Sequence, residues 1–97
     1  MWILRSTQDI AQQSYTFRMT AQRPRTIGRG PRADFVLDAP LVSRLHCRLV
    51  VINGELIVEN LASTNGTFVN DESIERSTLK PGDRLRTGRV ELIVSTE

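Results

Sequence analysis

Apolar side chains recur at every second position along much of this 97-residue chain. Tyr15, Phe17 and Met19 alternate with Thr16 and Arg18; Cys47, Leu49 and Val51 alternate with Arg48 and Val50 in a stretch ending near Ile52. A period of two is that of an extended strand, whose successive side chains point to opposite faces. Trp2-Ile3-Leu4, Thr26-Ile27-Gly28, Phe35-Val36-Leu37, Leu56-Ile57-Val58-Glu59, Thr67-Phe68-Val69, Arg84-Leu85-Arg86 and Val90 to Val94 read as further short strands. Turn residues separate them. Asn53-Gly54 signals a hairpin, because both residues tolerate positive φ. Asn65-Gly66 and Asn70-Asp71 read as tight turns, and Pro81-Gly82-Asp83 as a loop. Ile10 to Ser14 is polar and Gln-rich and reads as a loop between the first two strands. No window of helical length carries an apolar stripe of helical period. Many short strands punctuated by turns predict an all-β sandwich or barrel.

Composition narrows the function classes. The length predicts one domain over residues 1–97, standing alone or as a module of a larger protein. A hydrophobic fraction of 39% and a charged fraction of 25% are ordinary for a globular domain. No apolar run is long enough to span a membrane, and the start, Met1 to Ser6, lacks the basic and apolar regions of a signal peptide. The expected compartment is cytoplasmic, or nuclear in a eukaryote, and the expected state is a monomer without cofactor. Cys47 and His46 are the only residues of their kinds, which leaves no disulfide and no metal-ligand cluster.

Net charge is only +2, but it is unevenly spread. Residues 18–48 carry seven arginines against Asp34 and Asp38, a balance of +5, while residues 49–97 carry −3. One surface is therefore suited to an anion. The basic half uses arginine alone, whose planar fork matches phosphate better than the point charge of lysine.

Three short runs could gather that anion. Arg29 follows Gly28 at a strand end, Ser43-Arg44-Leu45-His46 enters a strand, and Ser63-Thr64-Asn65-Gly66-Thr67 contains a turn. Ser43, Arg44, Ser63 and Thr64 offer donors, and the Asn65 carboxamide offers a donor and an acceptor for a peptide backbone. Each run also has a plainer reading, as a turn arginine, a serine bonded to its own turn, and a hairpin. His46 reads as a structural hydrogen-bonding residue. Ser43 lies too close in sequence to His46 for a catalytic pair. His46 and Cys47 are adjacent on a strand, point to opposite faces and form no dyad; Cys47 reads as core.

Taken together the three runs resemble the forkhead-associated (FHA) domain, a phosphothreonine-peptide-binding module whose pattern is Gly-Arg, Ser-x-x-His, then Asn-Gly. Val42 to Cys47, Asn60 to Asn70 and Leu79 to Asp83 carry the resemblance further, and it covers essentially the whole chain. It implies a SMAD/FHA-type β-sandwich of about eleven strands with peptide-binding loops at one end. By position, Arg29, Ser43, Arg44 and Thr64 would contact the phosphate or its surroundings, and Thr64 could instead line the threonine-methyl site. Asn65 would hold the peptide main chain, and Gly28, His46 and Gly66 would be architectural. Asp71 stands where the family often has glycine. With Asn70 and Glu72 it is expected to form a specificity loop that disfavours acidic residues after the phosphothreonine. The implied partner is a protein marked by a Ser/Thr kinase, with no nucleic acid, membrane or enzymatic activity involved. A phosphate-independent interaction through the sandwich face is the alternative. For nucleic-acid binding through the arginines stacking aromatics are scarce, Tyr15-Phe17-Arg18 being the exception, and a hydrolase lacks a base and nucleophile pair.

Overall fold

The computed structural model describes residues 1–8, 13–20 and 23–97. Residues 10–12 of the polar loop read between the first two strands lie outside the described residues. Among the described residues eleven strands form, in chain order: β1 (Trp2–Ser6), β2 (Thr16–Met19), β3 (Arg25–Gly28), β4 (Phe35–Val36), β5 (Cys47–Ile52), β6 (Glu55–Asn60), β7 (Thr67–Val69), β8 (Glu72–Ile74), β9 (Arg76–Leu79), β10 (Arg84–Thr87) and β11 (Val90–Thr96). They make a six-stranded sheet ordered β2-β1-β11-β10-β7-β8 and a five-stranded sheet ordered β4-β3-β5-β6-β9. The all-β sandwich that the alternation predicts is therefore present, with the eleven strands that the resemblance implies.

The period-two strands bury one face each. Val90, Leu92 and Val94 of β11 face inward with Leu4, Met19 and Leu85. Ile27, Cys47, Leu49, Leu56, Val58 and Leu79 face them from the second sheet. Each such side chain contributes roughly 1.5–3 kcal/mol on burial. Phe17 of β2 stacks on Phe35 of β4 with ring centroids 4.9 Å apart, joining one edge strand of each sheet.

Some boundaries differ from the sequence reading. Leu37 is core, but its chain has left the sheet; β4 ends at Val36. Tyr15 precedes β2, its N–H donating to Ser6 Oγ at 2.9 Å. Strands β8 and β9 carry no alternation that the sequence reveals, since Ile74 and Leu79 are their only apolar residues. Both are edge strands with a single hydrogen-bonded neighbour, so their outer faces need no apolar pattern.

Topology sorts the loops into two ends. The segments 29–34, 37–46 and 61–66 and the β10–β11 turn gather at one end. The Asn53-Gly54 hairpin and the Asn70-Asp71 turn lie at the other. Both hairpins have paired positive φ values, 53° and 78° in the first and 49° and 68° in the second, as two-residue turns of this hand require.

Candidate functional site

Main-chain hydrogen bonds zip the three loops together before any side chain is counted. Arg29 N–H donates to Ser43 C=O at 2.9 Å, and Gly30 N–H to Arg44 C=O at 3.1 Å. Leu61 N–H donates to His46 C=O at 3.0 Å. The close approach at Gly28 explains that glycine: a Cβ built there would overlap the Arg44 carbonyl oxygen. Asp34 ties down the base of the arginine loop by accepting the Thr26 N–H at 2.9 Å and the Thr26 hydroxyl at 3.2 Å. The backbone N–H of Thr26, above all, holds the Asp34 carboxyl below its ordinary range.

His46 is fully buried and braces two loops. Its Nδ1 accepts the Ser43 N–H at 3.0 Å. That acceptor role leaves the proton on Nε2, which donates to the Gly66 carbonyl at 2.8 Å. Burial pushes its pKa below the ordinary value of 6.5, against the Gly66 bond that raises it. Both ring nitrogens serve backbone groups, so neither is available as a base for the Ser43 hydroxyl. Cys47 is buried on the core side, where desolvation pushes its thiol up to about 12.

Between these loops lies an open groove of about 480 Å³, lined by Arg29, Asp38, Ala39, Pro40, Leu41, Val42, Ser43, Thr64 and Asn65. Arg29 Nε–H donates to the Val42 carbonyl at 3.0 Å, which fixes the guanidinium; among the described residues its outer N–H groups are unused. Ser43 Oγ accepts the Thr64 N–H at 3.1 Å, so its own hydroxyl proton is free to donate. Thr64 is exposed beside it. Asn65 Nδ2 donates to the Leu41 carbonyl at 2.9 Å, leaving Oδ1 as a free acceptor. Leu41 is held at φ 70°, a rare conformation for a branched side chain, and is 46% exposed. Four ion pairs form among the described residues, and none uses Arg29 or Arg44. The groove thus combines an anchored, unpaired guanidinium with two hydroxyl donors and an amide, a set suited to an oxyanion on a peptide.

Of the residues singled out in the sequence, Arg29, Ser43, Thr64 and Asn65 come together. Gly28, His46 and Gly66 stand behind them. Arg44 does not line this groove; it faces a neighbouring one with Gly30, Pro31, Arg32 and Leu45. Nor does Ser63 supply a donor to the anion. Its hydroxyl donates to Asn60 Oδ1 at 2.6 Å and accepts the Gly66 N–H at 3.0 Å.

Asn70, Asp71 and Glu72 are not brought to this end. Strand β7 spans three residues, about 10 Å, and carries the chain away from Thr67 to the opposite end. There Asn70 donates to Asp83 Oδ1 at 3.1 Å and accepts the Arg84 N–H at 3.0 Å. None of the three lines the groove that holds Arg29, Ser43, Thr64 and Asn65.

Three contributors escape sequence reasoning. Asn60 Oδ1 collects the hydroxyls of Ser63 and Thr67, and so sets the shape of the β6–β7 loop. Gly88 packs so close that a Cβ there would sit 2.9 Å from the Leu41 carbonyl carbon. Asp38 lines the groove together with Arg29. Only Asp38 had a local signal, as a charge in the arginine-rich half.

A family model described as the FHA domain matches residues 25–88. The chain belongs to the FHA-domain family. The FhaA FHA domain complexed with the intracellular domain of Rv3910 is 33% identical to this FHA domain, with a TM-score of 0.82 over 97% of this chain and 99% of that one. A structure from a structural and functional analysis of phosphothreonine-dependent FHA domain interactions is 32% identical, with a TM-score of 0.83 over 99% and 96%. Among curated proteins, the oxoglutarate dehydrogenase inhibitor of Corynebacterium efficiens is 38% identical over 68 residues, 70% of this chain and 48% of that protein. This FHA domain spans about half the length of the curated relatives it matches.

Proposed function

We propose that this FHA domain is a binding module that recognises phosphothreonine in partners marked by a Ser/Thr kinase. The observation that carries the proposal is the Arg29 guanidinium. It is fixed through Nε to Val42, unpaired with any carboxylate among the described residues, and set in one groove with Ser43, Thr64 and Asn65. Family membership and the phosphothreonine dependence named for a structural neighbour support the same reading.

In this reading the outer N–H groups of Arg29 and the hydroxyls of Ser43 and Thr64 donate to the phosphate oxygens. The free Oδ1 of Asn65 accepts from a peptide N–H. A phosphothreonine carries about −1.5 to −2 charge and three acceptor oxygens. Charge-assisted hydrogen bonds contribute roughly 1.5–3 kcal/mol each. Three or four of them total roughly 4.5–12 kcal/mol; less an association and ordering cost of at least about 4 kcal/mol, they leave about −8 kcal/mol at most, so the affinity is about micromolar at its tightest. Such a reader is reversible. It weakens below about pH 6, where the phosphate takes up a proton.

Fluorescence-anisotropy titration with a degenerate phosphothreonine peptide library tests this, with the unphosphorylated library and Arg29→Ala as controls. The expected outcome is saturable binding to the phosphorylated pool alone, weakened at least about tenfold by Arg29→Ala. Equal binding of the two pools would refute phosphate recognition and move attention to partners of the sandwich face.

A further inference from the structure

The groove carries both signs of charge, since its ionisable lining residues are Arg29 and Asp38. The proposed function gives the first a role and the second none. Among the described residues Asp38 takes part in no ion pair. The Tyr15 hydroxyl donates to its main-chain carbonyl at 3.4 Å, and its carboxylate accepts no hydrogen bond there. Every lysine and arginine of the chain lies among the described residues, so none of them neutralises this carboxylate. Asp34 shows the contrast: it is tied to Thr26 by two hydrogen bonds and so has a structural task.

The backbone holds Asp38 outward. It is the central residue of a three-residue turn, closed by Ala39 N–H donating to Leu37 C=O at 2.9 Å. Leu37 and Ala39 on either side are buried, while Asp38 is exposed. Leu37 N–H donates to Gly28 C=O at 2.8 Å, which ties this turn to the residue before Arg29. Main-chain bonds thus keep the two charged positions in a fixed relation, on one groove but not paired. A free carboxylate is a liability in a groove that takes a phosphate dianion, because the two repel. A cation on the ligand turns that repulsion into attraction, and rejection of an acidic side chain at the same place comes with it. An extended peptide advances about 3.3 Å per residue, so a residue within a few positions of the phosphothreonine reaches Asp38 while Arg29 holds the phosphate.

We infer that Asp38 is a specificity-determining residue, which selects an arginine or lysine close to the phosphothreonine and rejects aspartate or glutamate at the same position. The inference rests on the function proposed above. It makes the preferred ligand a phosphothreonine with a basic neighbour, a segment whose two charges are the opposites of Arg29 and Asp38.

The test is an anisotropy titration of the intact chain with phosphothreonine peptides in which arginine, alanine or glutamate is scanned through the four positions on each side. At one position arginine should strengthen binding about threefold over alanine and glutamate weaken it about threefold, as an exposed ion pair and its like-charge counterpart do. Asp38→Asn should remove both effects and bind the alanine peptide no more weakly than the wild type does. Asp38→Lys should invert the order, so that glutamate becomes the preferred residue at that position. Asp38 is exposed and its side chain shapes no loop, so both variants should keep the urea midpoint of the wild type. Asp38→Asn decides the matter alone if the lysine variant is unstable. A flat scan, or an arginine preference that survives Asp38→Asn, would overturn the role of Asp38 and leave the phosphothreonine reading intact. Failure of the wild type to prefer phosphorylated over unphosphorylated peptide would sink both.

Discussion

Asn53-Gly54 and Asn65-Gly66 are the same dipeptide in one small fold, yet they meet opposite surroundings. At the first, both residues have positive φ, and a Cβ on Gly54 would meet nothing within 4 Å. The turn reverses the chain and does no more. At the second, Gly66 sits at φ 85° with a Phe68 ring carbon 3.3 Å from where a Cβ would stand. Its carbonyl holds His46, its N–H holds Ser63, and Asn65 reaches across to Leu41. The dipeptide signals a turn in both places. The neighbours that the topology delivers decide which turn becomes part of a site.

The difference between the two ends can be tested most severely with glycine. Gly28→Ala at the groove end should destabilise the domain by about 3 kcal/mol or more, because the new methyl meets main chain that hydrogen bonds hold in place. Gly54→Ala should cost about 1–2 kcal/mol, the left-handed backbone penalty alone. Urea denaturation of the two variants compares them, and equal losses would erase the distinction. Next come the asparagines. Asn65→Ala should weaken phosphopeptide binding about tenfold, since it frees the Leu41 carbonyl and removes the acceptor for peptide main chain. Asn53→Ala should leave affinity unchanged and cost stability only, by about 1 kcal/mol.

A smaller effect concerns pH. Folding holds the His46 pKa below its ordinary value of 6.5. The unfolded chain therefore takes up a proton that the folded chain refuses, so stability is full above about pH 6.5 and falls as the pH drops below it. The decline ends once the folded imidazole also protonates. Denaturation midpoints without peptide should show this slope, and His46→Asn should flatten it while lowering stability throughout. A wild-type midpoint that did not move across that window would contradict the role given to His46. The smallest expected change is at the far end. Asp71→Gly should stabilise by about 0.5–1 kcal/mol by relieving a left-handed aspartate, with phosphopeptide affinity unchanged. A change in affinity would restore Asp71 to the site.

The legible part of this molecule was whatever is written locally. Strand alternation around Phe17 and Leu49 and the hairpin at Asn53-Gly54 follow from side-chain period and turn chemistry. So does the presence of Arg29, Ser43, Thr64 and Asn65 on loops. Strands β8 and β9 were hidden because an edge strand needs only one inward apolar residue. The departure of Arg44 from the first groove was hidden too, because it depends on how the 37–46 segment meets Gly30 of a different loop. The Asn60 hub and the buttress of Gly88 under Leu41 are contacts between segments distant in sequence, and no local pattern announces them.

The zipping of the loops by main-chain bonds has an evolutionary consequence. Arg29 N–H to Ser43 C=O, Gly30 N–H to Arg44 C=O and Leu61 N–H to His46 C=O hold the frame without regard to which side chains project from it. Among the described residues, the side chains of Arg32, Asp38, Leu41 and Arg44 form none of the hydrogen bonds that shape the loops, though all four line a groove. Holding and choosing are thus assigned to different atoms. Drift at Arg32, Asp38 and Arg44 can rewrite which ligands are preferred while the fold stays indifferent, whereas the left-handed backbone of Leu41 limits what can stand there; a display library randomised at the other three positions would offer new binding preferences on an unchanged scaffold.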